Sequence, residues 1–290
     1  MTATNDPIVL VQSLSLTYRS GFLGRRRLAA LRDVDLRVDA GTLVGVVGPN
    51  GSGKSSLFRC LLGLEHPLAK QLAVHGKRPG ARRSLVHLGY VSEGRLPLGR
   101  LTAREFLTLT GAIANRRPGD ARARADTLLE RVGLSQARDR AHAEFSTGME
   151  RRLAFANALF HEPQLLILDE PSSGMDPLGI EMVRTELIAH TARGGTAIVA
   201  THSLEALGPE TFDELCVLLD GRVVTHGHPS EVLGIAGTRE LRLTSVGEAA
   251  MPKIQRAIEA LGGRVESDGP ALRSLGSLLA EVQRRTKSSL

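Results

Sequence analysis

Residues 48–55 read Gly48-Pro49-Asn50-Gly51-Ser52-Gly53-Lys54-Ser55, two glycines with four residues between them and then lysine and serine. This spacing suits a loop that wraps an anion. Glycine allows the backbone to curl so that several N–H groups point at one place. Lys54 adds a positive charge for the outer phosphates of a polyphosphate, and Ser55 offers a hydroxyl to Mg2+. A helix that starts at the loop would turn its positive end on the same anion. A second grouping, Leu-Leu-Ile-Leu-Asp169-Glu170, is an apolar run that ends in two carboxylates. Asp169 at the end of a strand can hold the shell of a divalent cation, and Glu170 can polarise a water for attack on a terminal phosphate. Such acidic pairs are common alone; with a phosphate loop in the same chain the pair gains a purpose. His226 and His228 have no further ligand close by in sequence and read as part of a polar turn after Gly221 rather than as a metal pair.

These groups need rigid elements behind them. Residues 42–47, 165–168 and 196–200 are short apolar runs that predict strands buried on both faces, as in a parallel sheet covered by helices. Helical patterns fall between them, at 55–64, 153–160 and 181–191. The alternation predicts a three-layer α/β fold. The segment 94–140 lacks strand runs and is rich in Ala, Arg and Leu. Thr102-Ala-Arg-Glu105 reads as a capping box at a helix start, followed by Phe106, Leu109 and Ile113 at helical spacing. A second helix, 120–132, places Leu128, Leu129 and Val132 on one side. A helical subdomain is therefore expected at about 94–152, inserted into a core that runs from 7 to 235. Residues 238–290 predict a small α+β appendage: strands at 240–246 and 264–266, helices at 248–261 and 272–285.

Composition agrees with a folded globular protein. The chain has 290 residues, 42% hydrophobic and 23% charged, enough for a substantial core in about two domains. Cys60 and Cys216 lie in apolar stretches and suit small core residues in a reducing compartment. No apolar run approaches the ~20 residues that span a bilayer. Residues 1–5 are polar and too short for a signal peptide. Secreted, fibrous, disordered and integral-membrane classes are thus disfavoured. The net charge is +6, and the segment 94–152, with twelve Arg against seven Asp and Glu, carries most of it. A basic face of this kind suits nucleic acid, anionic lipid headgroups or an acidic partner, and equally a solvated helix surface.

The order of motifs resembles one family. After the phosphate loop come Phe145-Ser146-Thr147-Gly148-Met149, Leu168-Asp169-Glu170-Pro171, Ser173-Gly174-Met175-Asp176-Pro177 and Ala200-Thr201-His202. Over residues 7–235 this resembles the ATP-binding cassette (ABC) ATPases, whose core is a phosphate-loop NTPase fold. The resemblance leans to bacterial cassettes of the ABC-2 export type, in which the signature loop often carries Met where others carry Gln.

The resemblance implies ATP as substrate, with residues 48–55 and Ser56 around its phosphates and Mg2+ held by Ser55 and Asp169. Tyr18 falls where the family stacks an aromatic on adenine; a strand-end aromatic is the other reading. Glu170 would act on the attacking water and His202 on the γ-phosphate. Glu93, in Gly89-Tyr-Val-Ser-Glu93, takes the place of a glutamine that reaches the metal and the water, and adds negative charge there. Ser146, Thr147 and Gly148 form the loop that binds ATP held by a second subunit, and Asp176 belongs to the loop linking the two sites. Thr147 replaces the usual glycine, and its Cβ restricts backbone approach. At Pro67-Leu-Ala-Lys70, where the family has a Ser-Gly turn, Lys70 predicts a different turn.

The implied partners are an integral-membrane permease and a second copy or a homologous ATPase subunit, with no nucleic acid, at the cytoplasmic face of the inner membrane. The alternative is a soluble ATPase of this type in regulation, translation or DNA maintenance. DNA-repair relatives carry long coiled coils between the phosphate loop and the signature loop, and the interval from Lys54 to Ser146 is too short for them.

Overall fold

A computed structural model describes residues 6–20, 26–94, 96, 98–114, 116–233 and 256. Two long strands open the described chain, β1 (Val9–Ser20) and β2 (Arg26–Val38), paired antiparallel. After β3 (Leu43–Val47) and α1 (Lys54–Leu61), β4 (Gln71–Val74) returns to the other edge of β1 and completes a three-stranded antiparallel sheet. The short helix α2 (Arg82–Leu85) leads to β5 (Leu88–Val91). Three helices follow: α3 (Ala103–Ile113), α4 (Pro118–Arg131) and α5 (Thr147–Ala158). Then come β6 (Leu165–Asp169), α6 (Pro177–Ala192), β7 (Thr196–Thr201), β8 (Glu214–Leu219), β9 (Arg222–Gly227) and α7 (Pro229–Val232).

The second sheet has six strands in the order β5-β6-β7-β3-β8-β9. All neighbours are parallel except β9, which runs antiparallel to β8. The fold is α/β with a mostly parallel sheet. Its central strands β3, β6 and β7 are buried along their whole length because helices or the second sheet cover both faces. In β6, Leu166 and Leu168 face one core with the helices α3 to α6, while Leu165 and Ile167 face the other with α1 and the antiparallel sheet. Helix α1 wedges between the two sheets through Leu57, Phe58, Cys60 and Leu61, all fully buried. Each of the larger of these side chains contributes about 1.5–3 kcal/mol of burial free energy.

Several expectations need revision. The first helix after the phosphate loop is shorter than 55–64 and ends at Leu61. The helix expected at 153–160 begins at Thr147, because Ser146 caps it by accepting from Met149 N at 3.3 Å. The capping box at Thr102 is present, but the face is different. Ala103, Leu107 and Gly111 are buried, while Leu109 and Ile113 are 50% and 77% exposed. Small residues win that face because α4 comes close: a Cβ at Gly111 would sit 2.5 Å from Ala121 Cβ and 2.9 Å from Phe160 Cζ. Residues 67–70 make no separate turn. Ser15 and Leu68 exchange N–H···O bonds of 2.7 and 2.9 Å, and Lys70 N–H donates to Gln12 O at 2.9 Å, so the segment runs along β1 into β4. His226 lies within β9 and pairs with Glu214 at 2.8 Å, and His228 caps α7. The appendage expected at 238–290 lies outside the described residues, apart from Arg256, which is helical.

Candidate functional site

The phosphate loop leaves the C-terminal end of β3, and its neighbours in the sheet bring two other loops to the same edge. Val47 pairs with Thr201 of β7, and Asp169 of β6 pairs with Ala200 of β7. Gly48 N–H donates to Thr201 O at 3.3 Å, and Glu170 N–H to Ala200 O at 3.0 Å. Sheet register alone therefore places the loop, both carboxylates and His202 on one rim.

The loop fits its seat tightly. A Cβ on Gly48 would lie 2.1 Å from Leu218 O of β8, so no other residue fits there without moving backbone. Ser52 O accepts from Gly221 N–H at 2.9 Å, and Gly221 O accepts from Arg32 N–H at 2.8 Å. Gly221 has φ of 78°, and a Cβ on it would lie 2.6 Å from Ala30 O. The turn between β8 and β9 thus locks the loop to β2.

Above the loop lies a cavity of about 470 Å³. Asn50, Gly51, Gly53, Lys54, Ser55 and Ser56 form its floor, Glu93, Asp169 and Glu170 one side, and Tyr18 with Leu28, Ala29 and Ala30 the other. Tyr18 OH donates to Ser56 Oγ at 3.4 Å. Gly48 and Pro49 support the cavity from below, and their carbonyls accept from Lys54 Nζ at 2.7 and 3.3 Å. Ser52 is buried in the loop. Leu28, Ala29 and Ala30 were not anticipated. Their signal in the sequence is the alternation of β2, which pairs Tyr18 with Leu28 across the strands.

Charge is concentrated at the inner end. Lys54 Nζ lies 3.7 Å from Glu170 Oε1, and His202 Nδ1 lies 2.8 Å from Glu170 Oε2. Burial pulls the Lys54 ammonium below the usual lysine range, against the pull of the Glu170 and Asp169 carboxylates. Burial likewise pushes the Asp169 carboxyl above its usual range, with the Ser55 hydroxyl opposing and the Glu93 charge adding to the rise. Glu170 holds a left-handed backbone, φ 51°, a conformation that costs roughly 1–2 kcal/mol outside glycine. Strain of this kind at a sheet edge is held in place by the surrounding structure.

The donor set fits Mg2+. Asp169 Oδ1 is buried without a hydrogen-bond partner, and the Ser55 hydroxyl stands beside that carboxylate. Among the described residues no group of three or more His, Cys, Asp and Glu could by itself hold a metal. A cation here would draw on one or two protein oxygens and on substrate phosphates, the usual manner of Mg2+.

Ser146, Thr147, Gly148 and Asp176 are elsewhere. They line a second hollow of about 570 Å³ with Met149, Arg152 and Gly174, and it shares no residue with the first. Asp176 caps α6, accepting from Gly179 N–H at 2.9 Å, and pairs with Arg152. Thr147 is the first residue of α5, and its Cγ2 packs against Gly174. One chain thus carries two separate hollows: one over a glycine-rich loop and its carboxylates, the other beside a helix N-terminus with a serine cap.

Residues 31–173 match the family described as ABC transporter. The chain is 34% identical over 241 residues to an uncharacterised ABC transporter ATP-binding protein of Nostoc, covering 82% of this chain and 72% of the relative. It is 35% identical over 206 residues to the Nod factor export ATP-binding protein I of Rhizobium leguminosarum, covering 70% and 66%. Among solved structures it resembles a dimeric ATP-binding cassette in a post-hydrolysis state with ADP and Pi, at TM-score 0.67 and 25% identity, covering 76% of this chain and 98% of that one.

Proposed function

The chain belongs to the ABC transporter family as an ATP-hydrolysing, ATP-binding subunit, and from that premise we propose how its own residues do the work and what they drive. The adenine end of ATP stacks on Tyr18 beside Leu28, and the triphosphate runs over residues 48–56 toward Lys54. Lys54 and the loop N–H groups neutralise charge that builds on the phosphates, the main source of acceleration in phosphoryl transfer. Mg2+, held by Ser55 and Asp169, would supply further charge neutralisation across the phosphate oxygens. Glu170 accepts a hydrogen bond from the attacking water, and His202 keeps the Glu170 carboxylate turned toward it. Glu93 adds an acceptor at the metal end.

The observation that carries this reading is the meeting of Lys54, Glu170 and His202 within hydrogen-bond and ion-pair distance at one sheet edge. Each site is completed by a second copy or a homologous subunit, whose Ser146, Thr147, Gly148 and Asp176 close over the γ-phosphate. The two non-overlapping hollows on one chain support that division of labour.

Closure around ATP and release after hydrolysis would drive an integral-membrane permease between two states, with this subunit at the cytoplasmic face of the inner membrane. Among the described residues no helix is long and apolar enough to cross a membrane. Export as the direction is supported by the name of the Rhizobium relative. The rival reading, an ATPase of DNA maintenance, is disfavoured by the interval between loop and signature, where α3 and α4 have only 11 and 14 residues. Glu170→Gln tests the core of the proposal. Nucleotide binding should persist, phosphate release should fall roughly 10²–10⁴-fold, and a dimer should accumulate with ATP on gel filtration. Unchanged hydrolysis would remove Glu170 from the water. Co-purification of the full chain with a multi-span membrane protein tests the partner.

A further inference from the structure

Strand β5 ends at Val91, its last residue paired with β6, opposite Leu168. The next two carbonyls, of Ser92 and Glu93, have left the sheet. Both are taken by Arg151 of α5: Nη1 donates to Ser92 O at 2.6 Å, and Nη2 donates to Glu93 O. A single guanidinium on two successive carbonyls fixes the peptide between them, and these bonds are charge-assisted. Glu93 is exposed, and it lines the nucleotide cavity together with Asp169 and Lys54. Arg151 itself touches neither hollow, but it sits in the second turn of the helix that Ser146 caps.

We propose that Arg151 is a positioning residue: it clamps the Ser92–Glu93 backbone so that the Glu93 carboxylate faces the metal end of the cavity, and it ties that cavity to the Ser146 loop on its own helix. The proposal rests on the reading above that Glu93 serves the metal. Its consequence is mechanical. Any shift of α5 when a second copy meets Ser146 is carried to Glu93 through two hydrogen bonds. Lysine at this position carries its three donors on one nitrogen and lacks the rigid planar fork that fixes two successive carbonyls.

The test uses the full chain and Mg2+ titrations of two signals: ATP hydrolysis, and binding of a fluorescent ATP analogue, with binding in EDTA as the metal-free reference. The variants are Arg151→Ala, Arg151→Lys, Glu93→Ala and the double Arg151→Ala/Glu93→Ala. Glu93→Ala should raise the half-saturating Mg2+ concentration. Arg151→Ala should raise it in the same direction, by up to roughly tenfold, as loss of a group that orients a metal ligand does. Metal-free binding should not change, Arg151→Lys should fall between, and Arg151→Ala should add nothing to Glu93→Ala. Titrations of Arg151→Ala that superimpose on the wild type would overturn the proposal. So would a shift that multiplies in full with that of Glu93→Ala, or an equal loss of metal-free binding. If Arg151→Ala does not fold, Arg151→Lys must show the shift alone, and its absence is decisive. If Glu93→Ala leaves the titration unchanged, the role of Glu93 falls and the clamp with it; if only the Arg151 variants are silent, the clamp alone falls.

Discussion

His202 Nδ1 lies 2.8 Å from Glu170 Oε2, while the other oxygen of the same carboxylate lies 3.7 Å from Lys54 Nζ. The carboxylate is held from both sides, and its direction is set by its neighbours. His202→Ala should therefore act through Glu170. Its kcat for ATP should fall roughly 10²-fold with little change in KM. Added to Glu170→Gln it should cost almost nothing more, because residues acting as one unit are not additive. Full multiplication of the two losses in a phosphate-release assay would show that His202 works independently.

Lys54 is the cation that offsets two carboxylates at the inner end of the cavity. Lys54→Ala removes its contact with the phosphates and leaves Asp169 and Glu170 facing them. Loss of a charge-assisted contact of about 1.5–3 kcal/mol corresponds to roughly ten- to a hundredfold in affinity. Calorimetry with Mg·ATP should read that loss, and wild-type affinity would contradict the phosphate-loop assignment.

Asp169 links pH to stability. Its carboxyl is raised by burial, so the folded chain binds that proton more readily than the unfolded chain. The charged form costs stability above the folded-state pKa, and the cost is relieved as pH falls through it. Asp169→Asn should raise the melting temperature of metal-free protein at pH 8, and the gain should shrink on acidification. The same variant should lose the extra stabilisation that Mg2+ gives in the presence of ATP. A lower melting temperature would mean that Asp169 is better satisfied than its orphaned oxygen indicates.

Cys60 and Cys216 are both fully buried, and burial pushes each thiol up to about 12. Thiolate is the reactive form, so neither should react in the folded state. A colorimetric thiol assay at pH 8 should read close to zero in native buffer and both groups in denaturant. Rapid labelling of Cys60 without denaturant would show that α1 opens locally, and bound ATP should slow it.

The central strands and the residues gathered at their ends are legible because they are encoded locally. Leu165 to Leu168 is apolar on both faces and stops at a carboxylate, and the glycine spacing of 48–53 has few other uses. The antiparallel sheet was missed for a physical reason. Its alternation, Val9 and Val11 and then Leu14 and Leu16, slips by a residue at Ser13, which has φ 51°, and β2 has a similar break at Asp33, φ 53°. Bulges reset the two-residue period, so no window showed a clean strand. The stripe in α3 was misjudged because Leu109 and Ile113 looked like core, whereas close packing selects the smaller Ala103 and Gly111. Arg151 acts through partners distant in sequence, Ser92 and Glu93, and no local pattern marks it.

The turn at Gly221 joins segments made at very different times. Its N–H holds Ser52 of the phosphate loop and its carbonyl holds Arg32 of β2. During synthesis, which folds chains from the N-terminus onward, the loop and the strand emerge long before the residue that fastens them. A ribosome-bound chain cannot hold a finished nucleotide cavity until Gly221 has cleared the exit tunnel. A nucleotide that arrives before then meets a phosphate loop still lacking the fastening that the finished turn supplies.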